Sequence, residues 1–312
     1  MTTQNNRLNN LKNFIENNEI KSLENIFKGN NIINNDDKNT ALLHAIFIQN
    51  NEMAKLLIKN GADINCKDNN NDYTTYGEYA IHIATKSNNI KNVQLLIKNG
   101  ANVNVQDKVG DTSIMKINSN IHLLMLLWNN NDKEDFKSCK RDMFKILKLL
   151  VKTGGNEILS IKNIDDYTLI NDIIGVYGSY GYFQNNEEMS KVIYDLIFFY
   201  IKNGGDIKHK HLLSHKTILS QVIDINFKQS HPHIKLIRLL IKKHNNINDC
   251  DTLGNSSLHI AMYKKNYEIV KLLIENGGDP LLKNEEEHTP KDLATILNLD
   301  KKFIDIFEKN IK

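Results

Sequence analysis

The side chains best suited to chemistry in this chain are histidines. His209, His211 and His215, followed by His231, His233 and His244, form the densest set of possible metal ligands. A structural zinc site wants four ligands at set spacing, usually with thiolates, and Cys250 is the one nearby thiol. Three of the six fall in a single polar turn, so the pattern predicts turn residues and no metal. His82 and His259 stand in short helical stretches, with no Ser, Cys or acidic residue at an offset that suggests an activated nucleophile. No phosphate-binding glycine loop, H-E-x-x-H helix or nucleophile elbow occurs. The expectation is a chain that is not an enzyme and takes no cofactor.

Forty basic and 37 acidic residues leave a net charge of +3, which makes no electrostatic case for nucleic acid. The most apolar run, Val192–Ile201, contains Asp195 and is far shorter than the ~20 residues that span a bilayer. The opening MTTQNNRLNN lacks an apolar signal core. Three widely spaced cysteines (Cys66, Cys139, Cys250) suit free thiols in a reducing compartment. These features together predict a soluble, monomeric, cytoplasmic protein that binds neither membrane nor nucleic acid, with the nucleus left open as a second compartment.

The elements that position these residues are clearest at Asp251–Pro280, DTLGNSSLHIAMYKKNYEIVKLLIENGGDP. A turn at Asp251–Gly254 leads into a short helix, Ser257–Tyr263, then a break and a second helix, Tyr267–Asn276, closed by Gly277–Gly278. Ser256, Ser257, Leu258, His259, Ile260 and Ala261 resemble the T-P-L-H-x-A helix start of the ankyrin repeat, and Val270, Leu272, Leu273 and Gly277 complete the likeness. The same pattern recurs with Thr40, Leu42, Ala45 and GADINCKD (Gly61–Asp68), and with Ala80, Ile81, His82, Ile83, Ala84 and GANVNVQD (Gly100–Asp107). The resemblance implies an all-α repeat solenoid of helix pairs joined by β-hairpin loops. We read one domain, 1–312: a degenerate capping unit at 8–34, repeats at 37–67, 68–106, 107–156, 157–206, 207–248 and 249–281, and a second capping unit at 282–312.

The repeats are unequal. Gly61 to Gly100 spans 39 residues against a family period of about 33, and the excess lies in the hairpin tip Asn69–Tyr76. In repeats three, four and five the excess falls between helix one and helix two. The third is expected to extend its first helix through Ile114, Ile117, Ile121, Leu124 and Trp128, then to carry a polar connector, Asn129–Asp142, before a second helix at Phe144–Lys152. Tyr177, Tyr180, Tyr182, Phe183 and Phe227 lie in or beside the later insertions and are the candidate partner-binding residues, because aromatics in exposed loops anchor interfaces. Trp128 continues a helical stripe and is expected to pack.

The resemblance implies three things more. Ankyrin repeats bind proteins, so the expected function is a protein–protein interaction module, with a substrate-recruiting adaptor of a ubiquitin ligase as an alternative. The family's helix-start histidine is structural, which assigns that role to His82 and His259. Asn65, Asn104 and Asn248 resemble sites that an asparaginyl hydroxylase modifies in such repeats, although Asn also suits a tight turn in its own right. The heavy use of Asn, Ile and Lys is similar to that in ankyrin proteins of mimivirus-like giant DNA viruses, which implies a viral protein meeting a host partner.

Overall fold

The computed structural model describes residues 2–29, 33–69, 72–179, 187–208, 210, 214–224, 231–243 and 246–310. Among these residues all regular structure is helical, apart from three single antiparallel bridges, Lys67–Tyr79, Gln106–Thr112 and Cys250–Ser256. Each bridge closes the base of a hairpin between two helix pairs. The chain forms two units, Met1–Ile164 and Asp165–Lys312.

The first unit holds four helix pairs: α1 (Thr2–Glu16) with α2 (Ile20–Lys28), α3 (Asn35–Phe47) with α4 (Asn51–Lys59), α5 (Ala80–Lys86) with α6 (Ile90–Lys98), and α7 (Ile117–Asn129) with α8 (Lys133–Gly154). A 3-10 turn, Asn156–Leu159, follows. First helices pack on first helices (α1 on α3, α3 on α5, α5 on α7) and second helices on second helices. The apolar residues at three-four spacing end in those contacts: Ile15, Leu42, Ile46, Met53, Leu57, Leu96, Ile121 and Leu124 are fully buried.

The second unit repeats the plan with α9 (Leu169–Ser179) and α10 (Glu187–Lys202), α11 (Ile218–Asp224) and α12 (His231–Lys243), α13 (Ser257–Tyr263) and α14 (Tyr267–Glu275), and α15 (Pro290–Ile296) and α16 (Lys301–Asn310). Tyr200 is its largest fully buried side chain, and the Tyr200 hydroxyl donates to the Asp206 carbonyl at 3.0 Å. Asp224 at the end of α11 pairs with Lys216 at 2.6 Å and with Lys264, just past α13, at 2.8 Å. Both lysines hold its carboxyl below the usual range, against the opposing effect of partial burial.

At the six described joints helix one turns into helix two through a single left-handed residue. Asn18, Gln49, Asn88, Asn131, Lys265 and Asn298 all have φ between 48° and 63° at this joint. Asn is one of the few side chains that tolerates this region. Part of the asparagine excess therefore has a backbone use. An Asn also directly precedes α4, α6 and α14, where the side chains of Asn50, Asn89 and Asn266 accept from the third amide of the helix.

Repeat three departs from the expected loop. Residues 129–142 are not a polar connector: α8 starts at Lys133 and runs 22 residues. Asp132 caps it by accepting from the Asp135 amide, Glu134 and Asp135 complement the helix dipole, and Phe136, Cys139, Met143, Ile146, Leu147 and Leu150 form a buried stripe beneath the charged face. The excess in this repeat lengthens two helices that meet at Asn131. Trp128 packs edge-on to Phe136 across that joint, ring centroids 5.2 Å apart, as the packing reading expects.

Candidate protein-binding surface

The two helix-start histidines are held on both sides. The His82 Nδ1 accepts from the Tyr79 amide at 3.2 Å, and Nε2 lies 3.1 Å from the Val105 carbonyl, in the hairpin that leads to the next repeat. An amide on one nitrogen and a carbonyl on the other define a neutral ring with its proton on Nε2. Burial, helped by the nearby Lys116 charge, pushes His82 down to about 4. His259 repeats the arrangement, with Nδ1 3.1 Å from the Ser256 amide and Nε2 3.1 Å from the His288 carbonyl. The sequence pattern suggested no Ser partner for it, yet the Ser256 hydroxyl lies 2.9 Å from Nδ1. This pair is a helix cap: both residues are fully buried, and Nε2 is committed to a carbonyl.

The three asparagines also reach into the next repeat. The Asn65 Oδ1 accepts from the Asn102 amide at 2.9 Å, the Asn104 Nδ2 donates to the Gly154 carbonyl at 2.9 Å, and the Asn248 side chain accepts from the Asp279 amide at 2.8 Å while donating to the Gly277 carbonyl at 3.1 Å. Asn thus serves each site as a clip between repeats, beyond its tolerance for turns.

Hairpin tips are built by a leading Asp or Asn. Asp107 accepts from the amides of Val109 and Asp111, Asp251 from Leu253 and Asn255, and Asn284 from Glu286 and His288. Within each unit neighbouring tips hydrogen-bond through the backbone. The Tyr76 carbonyl accepts from Lys108 and the Val109 carbonyl from Ile164 in the first; Ser214 accepts from Thr252 and Leu253 from Glu285 in the second. His215 is a left-handed residue at such a tip, φ 51°. Leu253 and Leu281 stand more than half exposed in the hairpin segments of the second unit.

The remaining candidates are less defined. Tyr177 lies in the helical backbone of α9. Tyr180, Tyr182, Phe183 and Phe227 lie outside the described residues, as do His209, His211 and His244. Among the described residues no group of three or more His, Cys, Asp and Glu is placed to hold a metal ion, and no helix is long and apolar enough to cross a membrane.

Sequence reasoning missed two features. The Lys116 ammonium is buried among three carboxylates, 2.6 Å from Asp107, 3.1 Å from Asp111 and 3.1 Å from Glu78. Burial acts to lower its pKa, but the hydrogen bond to Asp107 and the charges of Asp111 and Glu78 outweigh that and raise it. The acids come from two separate tips, and the one signal was a lysine set inside the apolar stretch Ile114–Ile117. The other feature is a cleft of about 570 Å³ between α1, the first turns of α3 and the tip of the second repeat. Asp36, Asp37, Asp63, Asp68 and Asp72 line it, with Lys67 as its one basic residue.

Paired helices with hairpins between them, clipped to their neighbours within each unit by side chains on backbone groups, define a helical-repeat scaffold. The chain belongs to the ankyrin-repeat family, whose three-copy profile matches residues 3–107 and again 189–284. Over 86% of its length it superposes on 97% of the ankyrin domain of Bcl-3, a member of the IkappaB family, with a TM-score of 0.57 at 19% identity. The ankyrin domain of human ASB11 gives a TM-score of 0.51 at 16% identity, covering 87% of this chain and 97% of that one. These likenesses speak for the fold. Sequence relatives match over short stretches: oxysterol-binding protein-related protein 1 of Rattus norvegicus is 44% identical over 48 residues, 15% of this chain, and alpha-latrotoxin-Lg1a of Latrodectus geometricus is 30% identical over 95 residues, 30% of this chain. The matches span 5% and 6% of those proteins.

Proposed function

We propose that this chain is a non-enzymatic scaffold that binds another protein. The observation that carries the reading is how its reactive side chains are used. His82 ties its helix to the hairpin that follows, and His259, Asn65, Asn104 and Asn248 hold one repeat to the next, while Phe47, Tyr76, Leu253 and Leu281 are left large, apolar and at least 47% exposed. Exposed apolar side chains presented by a rigid frame are the raw material of an interface. The unpaired thiols Cys66, Cys139 and Cys250 suit a reducing cytoplasm. We read the protein as a monomer there, and its composition favours a host protein as the partner.

The test is affinity capture from host-cell lysate followed by mass spectrometry, with wild type beside a variant whose residues 175–188 are replaced by a short turn. A partner captured by wild type and lost by the variant supports binding and puts recognition on the inserted segment. A partner kept by both supports binding at the tips and first helices. Ubiquitin-ligase subunits in the capture would make the chain a recruiting adaptor, and added oxygen on Asn65, Asn104 or Asn248 would make it a hydroxylase substrate. Capture of nothing by either protein sinks the reading.

A further inference from the structure

Resting on the protein-binding reading, we propose that the cleft between α1, α3 and the second-repeat tip docks a peptide segment that carries Lys or Arg beside an apolar or aromatic residue. The cleft's volume falls in the ~300–1,000 Å³ class that seats small ligands and a few side chains. Its lining sets five carboxylates against one ammonium. Asp36, Asp63 and Asp72 are exposed at its surface, with one Asp63 oxygen taken by the Asn65 amide, whereas Asp68 is committed to the amides of Asp72, Tyr73 and Thr74. An incoming cation therefore meets carboxylates open to it, and an acidic or nucleic-acid partner meets repulsion.

The same surface continues into an aromatic platform. Thr40 and Asp72 line the cleft, and Tyr73, next in sequence to Asp72, sends its hydroxyl toward the Thr40 carbonyl at 3.5 Å. The Tyr73 ring lies 5.6 Å from that of Phe47, which is half exposed one helical turn beyond the cleft residue Leu43. Ile48 adds further exposed apolar surface. Lys12 already stands over the Tyr73 ring at 5.3 Å, so this chain uses the ring face to hold a cation. Charge at one end and an apolar platform at the other define the ligand: basic residues for the carboxylates and one large apolar side chain for Phe47 and Tyr73.

Random peptides displayed on phage, selected on the immobilised full chain, supply the probe. The expected winners carry Lys or Arg flanking Phe, Leu or Trp. A fluorescent copy should bind about tenfold more weakly to the Asp36→Asn/Asp63→Asn/Asp72→Asn variant, and more weakly still as salt rises. Phe47→Ser should also weaken it. All three aspartates are exposed, so melting curves should show both variants folded. Winners without net positive charge, no winners at all, or unchanged binding by the triple variant would each overturn the cleft as the docking site. If lysate capture still succeeds after such a result, the cleft proposal falls alone; if capture fails as well, the scaffold reading falls with it.

Discussion

The Lys116 ammonium lies 2.6 Å from the Asp107 carboxylate, with the lysine side chain 8% exposed and that of the aspartate fully buried. Asp107 also caps its own hairpin tip, by accepting from the Val109 and Asp111 amides. One carboxylate thus shapes the tip and holds the start of α7 against it. Glu78, 1% exposed on the preceding tip, joins the same ammonium, so a single charge ties two hairpins to one helix.

Removing that charge should cost much more than a surface ion pair. Lys116→Met is expected to lower stability by about 3–5 kcal/mol, because Asp107 stays buried without its counter-charge and buried Glu78 keeps only the half-exposed Lys86, 3.5 Å away. Urea melts of both proteins check the size of the effect. A loss no larger than the ~1 kcal/mol of a surface ion pair would sink the account.

His82 makes the stability of wild type depend on pH. Its folded value is depressed to about 4 from an ordinary 6.5, so the unfolded chain binds the proton more readily between those two values. The stability it contributes is fully present above pH 6.5 and is lost as pH falls through 4, about 3 kcal/mol in all. His259, also lowered by burial, adds a loss of the same sign. Denaturant melts from pH 7 to pH 4 should show a steeper decline for wild type than for His82→Gln.

Two glycines of the second unit separate backbone strain from crowding. Gly254 (φ 73°) and Gly277 (φ 92°) are both left-handed, but a Cβ on Gly254 would sit 2.9 Å from the Asn284 Cα and the Glu285 nitrogen, while one on Gly277 meets nothing within 4 Å. Gly277→Ala should cost about 1 kcal/mol for the φ alone. Gly254→Ala should cost about 3 kcal/mol or more, since relief means breaking the Leu253–Glu285 bond between tips. Equal losses in thermal melts would show that the tips do not pack as described.

Asn92 offers a stabilising change. It stands at the third position of α6, where α4 has Met53 and α14 has Ile269, each following an Asn cap. Asn92 is fully buried, and both its side-chain nitrogen and oxygen lack a hydrogen-bond partner among the described residues. Replacing an unpaired amide with an apolar side chain removes a desolvation cost, so Asn92→Met should gain about 1–2 kcal/mol. A lower melting temperature would mean the amide is satisfied by bound water.

Much of the fold was legible because each repeat writes its own punctuation. Ser256 to Ala261 placed α13 at Ser257–Tyr263 to the residue, and the glycine after each regular second helix placed its end. Legibility failed where the punctuation is shared by two structures. Asn129–Asp142 is polar and charged, which suits a loop and equally suits the exposed face of a helix; its apolar positions Phe136 and Cys139 decide for the helix only through the buried stripe they continue into Met143 and Ile146.

The candidate surface was less legible than the fold for a related reason. Local patterns are written along the chain, so the sequence alone determined the ankyrin class, the helix pairs, the hairpin tips and the structural role of His82 and His259. Proximity between distant segments is decided by folding. Glu78, Asp107 and Asp111 reach Lys116 because neighbouring hairpins lie side by side, and Asp36, Asp63 and Asp72 line one cleft because the enlarged second tip lies close to α3. Neither group has a spacing rule, since the residues between its members are spent on helices and turns; only the packing of repeat on repeat brings their charges together.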